Sequence, residues 1–172
     1  SPVMRLHKLL LVPATIALCL STACNQPQKA AQEKAAPIPA KPAEALWISL
    51  FDGETTNGWV NYGQETISDG WQVIDGELTM VGGGGDIVTT QMFGDFELEI
   101  EWKIAEAGNS GIFYGVLDGQ GAVWASAPEM QVLDNVKHPD GRNVLTSAGA
   151  CYALYPTTKN ALKAPGEWNK VG

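Results

Sequence analysis

The chain has 172 residues and a formal net charge of −8. The negative charge is concentrated in residues 47–172, which hold 17 Asp and Glu side chains against six Lys and Arg. A surface that acidic repels phosphate backbones, so the composition argues against a nucleic-acid partner and favours a neutral ligand or a cation.

Residues 1–24 predict a lipoprotein signal peptide. Arg5 and Lys8 precede an apolar run, residues 9–20, that is too short for a bilayer-spanning helix of about 20 residues. Small residues then lead to Cys24, the predicted lipidation site. A lipid there would hold the protein at a membrane, so we expect a bacterial cell-envelope protein, on the periplasmic side or at the outer-membrane surface. The alternative is an ordinary secretory signal with an incidental cysteine.

Residues 25–46 predict a disordered tether. They contain seven Ala and four Pro and almost no large apolar side chains. Such a segment cannot bury enough surface to offset the entropy lost on ordering. The folded domain is therefore expected at residues 47–172, where Cys151, the one cysteine, is predicted to be a small buried side chain.

Short strands dominate the predicted domain. Residues 96–104 alternate apolar and charged side chains, which is typical of a strand with one face in a core. Asp75 and Gly76 lie between two apolar segments and predict a tight hairpin. The glycines at 82–85 predict a flexible turn. Further strands are predicted at residues 86–90, 111–116 and 128–133, and a short helical turn within 148–155.

The pattern as a whole predicts an all-β fold, an antiparallel β-sandwich. Six Trp residues are expected mainly in its core, with sugar stacking as the alternative use. Residues 168–172 look like the start of another strand, so we expect the domain to be C-terminally incomplete at Gly172.

Several blocks within residues 47–172 resemble one known family. In chain order they are residues 50–53, 58–59, 84–89, 93–98, 108–114, 128–135, 138–141, 147–150 and 166–169. Together they are similar to the 3-keto-disaccharide hydrolase domain family of secreted bacterial proteins. The resemblance implies a concanavalin A-like jelly-roll β-sandwich and cleavage of glycosides already oxidised to a ketone at C3. Gly115 stands where that family usually has an Arg.

A ketone at C3 changes what glycoside cleavage requires. It acidifies the hydrogen on C2, so a base can remove that hydrogen while the aglycone leaves from C1, and water can then add back. This route needs a base, a donor or cation at the C3 oxygen, and an acid for the leaving group. Glu129 is the predicted general base, and His138 the second catalytic group, because a histidine titrates near neutrality.

Other side chains near these two are predicted to bind substrate. Strand alternation places Glu129 and Gln131 on one face of their strand, which the resemblance makes the concave, sugar-binding face. The predicted substrate-binding residues are Asn109, Ser110, Gln131, Asp134 and Lys137. Each has an ordinary alternative, such as turn capping for Asp134 and solvent exposure for His138 or Lys137. The acidic domain permits a divalent cation, although no ligand spacing indicates one.

Two classes of function remain open from sequence. The first is a lipid-anchored hydrolase or eliminase acting on 3-keto-glycosides, with a carbohydrate substrate. The second is a carbohydrate-binding, lectin-like module of the envelope that lacks catalysis, and a scaffold domain is a third reading. Gly115 favours the binding module, whereas Glu129, Gln131, Asp134 and His138 favour the enzyme.

Overall fold

The computed structural model describes residues 3–11 and 47–172, and this part of the chain is all-β. It contains ten strands and two short 3₁₀ helices, Val123–Ala125 and Pro139–Arg142. The strands are β1 Val3–Leu11, β2 Trp47–Ile48, β3 Trp59–Asn61, β4 Trp71–Ile74, β5 Glu77–Met80, β6 Ile87–Thr89, β7 Phe96–Lys103, β8 Asn109–Phe113, β9 Glu129–Leu133 and β10 Asn169–Val171. The predicted fold class is confirmed. Within these residues no helix has the length and apolar character needed to cross a membrane.

The largest sheet has the order β10-β7-β1-β5-β4, and β2 also pairs with β1. Strand β1 lies between β7 and β5 and runs antiparallel to both. This strand falls within the predicted signal peptide. The remainder of that peptide, including Cys24, and the whole tether lie outside the described residues, so the signal peptide, the lipid anchor and the tether stay predictions.

Strand β7 follows the predicted alternation. Ile100 and Trp102 are each 3% exposed and belong to the core, whereas Glu97 on the opposite face is exposed. The strand ends at Lys103, one residue earlier than predicted. Period-two patterning identified this strand because one of its faces is packed and the other is largely polar.

The predicted hairpin is also present. Strands β4 and β5 pair from Trp71↔Met80 to Ile74↔Glu77. Asp75 and Gly76 have φ values of 52° and 77°, the left-handed conformation that a two-residue type I′ turn needs at both central positions. Leu78 of this hairpin is fully buried.

A second layer packs against the large sheet. It includes the antiparallel pair β8–β9, and β3 pairs separately with β6. Ile112 of β8 and Val132 of β9 join Ile100 and Trp102 in one buried cluster, so the core lies between the two layers. Residues 148–155 form turns and two isolated bridges rather than the predicted helical turn, because their backbone bonds to β9.

Candidate functional site

The site is built on strands β8 and β9. Their register runs from Asn109↔Leu133 to Phe113↔Glu129 and places Gly111 opposite Gln131. Alternation along β9 puts Glu129 and Gln131 on one face, as predicted. Met130 and Val132 point the other way and pack on the core.

Gly111 makes room for the Glu129 side chain. A Cβ atom at position 111 would lie 2.6 Å from Glu129 Cδ and 2.7 Å from Cγ, and closer still to Oε1. The carboxylate therefore lies across the backbone of the neighbouring strand, where only a residue without a side chain leaves space. The sequence alone did not indicate that position 111 must be a glycine for Glu129 to lie here.

Glu129 and Gln131 line a cavity of about 1510 Å³. One part of its wall is polar and includes Asp86 and Asn61, while another is the apolar inner side of β7. Large side chains that are partly or mostly exposed also line it, and these are Met92, Tyr114, Leu117, Trp124 and Tyr152. The Trp residues were expected mainly in the core. Trp71 and Trp102 are buried there, whereas Trp124 is 72% exposed. An aromatic, partly polar cavity is the kind of surface that carbohydrates and other small molecules use.

The glycine run before β6 leads directly to Asp86. The buried Asn61 side chain donates from Nδ2 to the carbonyl oxygens of Gly84 at 2.5 Å and Asp86 at 3.2 Å. Trp71 Nε1 donates to the Gly85 oxygen at 2.9 Å. These bonds satisfy the carbonyl groups at the end of the predicted turn with buried side chains.

The pKa of Glu129 is raised above its ordinary value. Burial is the larger cause, because it disfavours the charged form, and the negative charge of Asp86 adds to it. A carboxylate whose pKa is moved toward neutrality is a stronger base than an exposed one, and such shifts are common at functional sites. Asp86 belongs to one of the family-like blocks, and that membership was the only sequence signal for it.

Gln131 is the most buried polar residue of the site, with 1% of its surface exposed. Its Nε2 donates to the Thr146 carbonyl oxygen at 3.2 Å. The side-chain oxygen Oε1 is also buried and has no hydrogen-bond partner among the described residues. An unpartnered buried acceptor costs free energy and calls for an explanation.

The remaining predicted site residues divide into two groups. Asn109 and Ser110 line the cavity with Glu129. Lys137 is exposed and pairs with Glu106, and His138 Nδ1 accepts a hydrogen bond from the Asp140 backbone at 3.3 Å. The structure places Asp134, Lys137 and His138 outside the lining of this cavity, so it does not bring His138 to the predicted base.

Asp134 caps two backbone segments. It is 2% exposed, its Oδ2 accepts from Ala107 N at 2.8 Å, and its Oδ1 accepts from Val136 N at 2.9 Å. These bonds, with that from Ala107 first, lower the pKa of Asp134, which is the capping alternative foreseen from the sequence.

We expect Asp134→Asn to lower the thermal unfolding midpoint at pH 7 by several degrees. Because the folded-state pKa of Asp134 lies below its unfolded value of 3.8, its carboxylate stabilises the fold above that pH. This contribution is lost as the pH falls through the folded-state pKa. The difference between variant and wild type should therefore shrink in unfolding curves recorded at progressively lower pH below 4. A difference that is constant across this range would contradict the assignment.

Cys151 is partly buried rather than buried as predicted. The cysteine lies beside Tyr114, whose pKa is raised by burial first and by the neighbouring thiol second. The Cys151 backbone also forms a β-bridge with Met130, so the segment after β9 continues the β8–β9 layer.

Within residues 3–11 and 47–172, no three His, Cys, Asp or Glu side chains come together as a metal site would require.

Residues 46–172 match the family model of the 3-keto-alpha-glucoside-1,2-lyase-like domain. The chain belongs to this family. It is 37% identical over 147 residues to a Bacteroides thetaiotaomicron protein named 3-keto-disaccharide hydrolase, a match that covers 73% of this chain and 51% of the relative. The chain thus spans about half the length of that curated relative.

A solved structure from Parabacteroides distasonis, described as a proposed glycosyl hydrolase, is also similar. The TM-score is 0.66 with 32% sequence identity, and the match covers 72% of this chain and 60% of that one. The family predicted from sequence is confirmed, and the structural likeness agrees with a β-sandwich.

Proposed function

We propose that the full-length protein cleaves glycosides that carry a ketone at C3 of the sugar. The observation that supports this proposal most directly is the Glu129 carboxylate, partly buried and laid across Gly111 in a large cavity. A single well-placed base is the main requirement of the elimination route. The B. thetaiotaomicron relative, named as a hydrolase of 3-keto-disaccharides, supports the same substrate class.

In the proposed reaction, Glu129 takes the hydrogen from C2 as a proton. The electron pair of the C2–H bond forms the C1=C2 double bond, and the C1–O bond breaks with its electrons on the aglycone oxygen. That oxygen receives a proton, and the sugar remains as an unsaturated ketone. Water then adds its oxygen to C1 and a proton to C2, so that the two steps sum to hydrolysis.

The proton that leaves with the aglycone needs a source inside the cavity. His138, the group predicted for this role, lies outside the cavity lining, so we assign the proton to protonated Glu129 or to water. Asn109 and Ser110 line the same cavity and are assigned to the polar groups of the sugar. Asp86 acts electrostatically, because its negative charge raises the pKa of Glu129 and so makes Glu129 a stronger base.

Asp86 also supports a second candidate, an ordinary glycosidase. Such enzymes use two carboxyl groups on either side of the glycosidic bond, and the cavity holds both Asp86 and Glu129. The two candidates differ in substrate, because only the elimination route depends on the ketone.

The test compares a 3-keto-glucoside with the matching unoxidised glucoside on the full-length protein. We expect aglycone release from the keto substrate and none above background from the unoxidised one. Chromatography of the released aglycone and of the sugar product measures both. Cleavage of the unoxidised glucoside at a similar rate would instead support the carboxylate pair. Binding of the keto sugar without turnover would support the lectin-like module.

A further inference from the structure

Gln131 is the next side chain after Glu129 on the same face of β9. Gln131 pairs directly with Gly111, and the Glu129 carboxylate lies over Gly111. Directly paired residues of antiparallel strands place their Cβ atoms about 4.5–5.5 Å apart. The register therefore brings the Glu129 carboxylate beside the Gln131 side chain.

The amide of Gln131 has a defined orientation. The Thr146 atom in contact with the amide is its backbone carbonyl oxygen, which can only accept a hydrogen bond, so the nitrogen of the amide must face it at 3.2 Å. The side-chain oxygen is then directed away from Thr146. It is buried and has no partner among the described residues. A carbonyl oxygen in this position needs a donor.

We infer that Gln131 is a positioning residue for Glu129, whose protonated carboxyl group donates its hydrogen to the Gln131 side-chain oxygen. The inference rests on the proposed function, in which Glu129 becomes protonated when it takes the hydrogen from C2. The bond would hold the protonated carboxyl in the cavity until the proton is passed on. It would also satisfy the buried Gln131 oxygen, which has no partner among the described residues.

The burial of the oxygen favours an internal donor over a sugar hydroxyl. The whole Gln131 residue is 1% exposed, so a substrate in the cavity meets Glu129 before it reaches the Gln131 oxygen. The other titratable side chains that line this cavity are Glu65, Asp86, Tyr114, Asp118 and Tyr152. The negative charge of Asp86 also favours protonated Glu129, and it does so without contributing a donor to Gln131.

The experiment measures protonation of Glu129 directly, by pH titration of carboxyl-labelled glutamate in carbon-13 NMR spectra of the full-length protein. Gln131→Asn keeps an amide in the site but withdraws its oxygen by one methylene group. We expect the protonation constant of Glu129 to fall roughly 2- to 10-fold, the equivalent of one net hydrogen bond. Met130→Leu, a change on the opposite face of β9, is the matched control and should leave that constant unchanged.

A second measurement uses the wild type alone and so does not depend on how the variant folds. The resonance of the Gln131 side-chain carbonyl carbon should move as Glu129 becomes protonated, while that of Asn109, which lines the same cavity, should stay constant. An unchanged titration in a natively folded Gln131→Asn variant, or a Gln131 resonance that does not follow Glu129, would overturn the inference. Neither measurement requires turnover, so failure of the proposed reaction would be seen separately in the substrate assay.

Discussion

Glu129→Gln should reduce turnover of 3-keto-glucosides by about 10²–10⁴-fold, the usual contribution of a positioned general base. The amide has almost the same shape as the carboxyl group, but it cannot take a proton from C2. Substrate binding should be largely retained, because the contacts that hold the sugar do not depend on this proton transfer. Single-turnover kinetics on the full-length protein would separate the chemical step from binding.

The matched control is Glu97→Gln, which makes the same chemical change on the solvent-exposed face of β7. Its activity should equal that of the wild type. If Glu129→Gln kept more than half of the wild-type turnover, Glu129 would not be the base and the assignment of the cavity would have to be revised.

Gly111→Ala should have the second-largest effect, a loss of about 10²-fold in kcat, because a displacement of about 1 Å at a catalytic group costs that much. The new methyl group would occupy the space of the Glu129 carboxyl group, with Cδ only 2.6 Å away. The flexible Glu129 side chain can swing into the cavity, so the fold should survive. The expected result is a strong loss of activity with a thermal midpoint close to that of the wild type.

Gly94→Ala is the control for this variant. Nothing lies within 4 Å of a Cβ atom placed there, and Gly94 is not among the glycines with positive φ. Both its activity and its stability should stay near those of the wild type. If the Gly111→Ala protein kept full activity, the Glu129 carboxylate would not act from its position over Gly111.

Part of this architecture could be predicted from local patterns. The alternation in β7, the Asp75-Gly76 turn and the shared face of Glu129 and Gln131 each depend on residues a few positions apart, and all three are present. Local periodicity is a reliable guide where one face of a strand is packed and the other is polar. The strand pattern as a whole predicted a β-sandwich, and the family-like blocks added the expectation of a concanavalin A-like jelly roll.

The composition of the site was not predictable in the same way. Asp86 raises the pKa of Glu129 although the two residues are 43 positions apart, and the turn before Asp86 is bonded to Asn61 and Trp71. His138 follows β9 closely in sequence. It lies in the turn that Asp134 caps, however, and this turn does not line the cavity. Proximity along the chain and proximity in the site differ here because the chain reverses direction after β9.

The sequence by itself therefore determined the β class of the domain, its family and the face that carries Glu129. Tertiary structure alone decided that Gly111 leaves room for that carboxylate, that Asp86 raises its pKa, and that the Gln131 oxygen is buried without a partner. The physical reason is that strand periodicity is a property of neighbouring residues, whereas burial, charge interactions and vacant space arise when distant strands pack together.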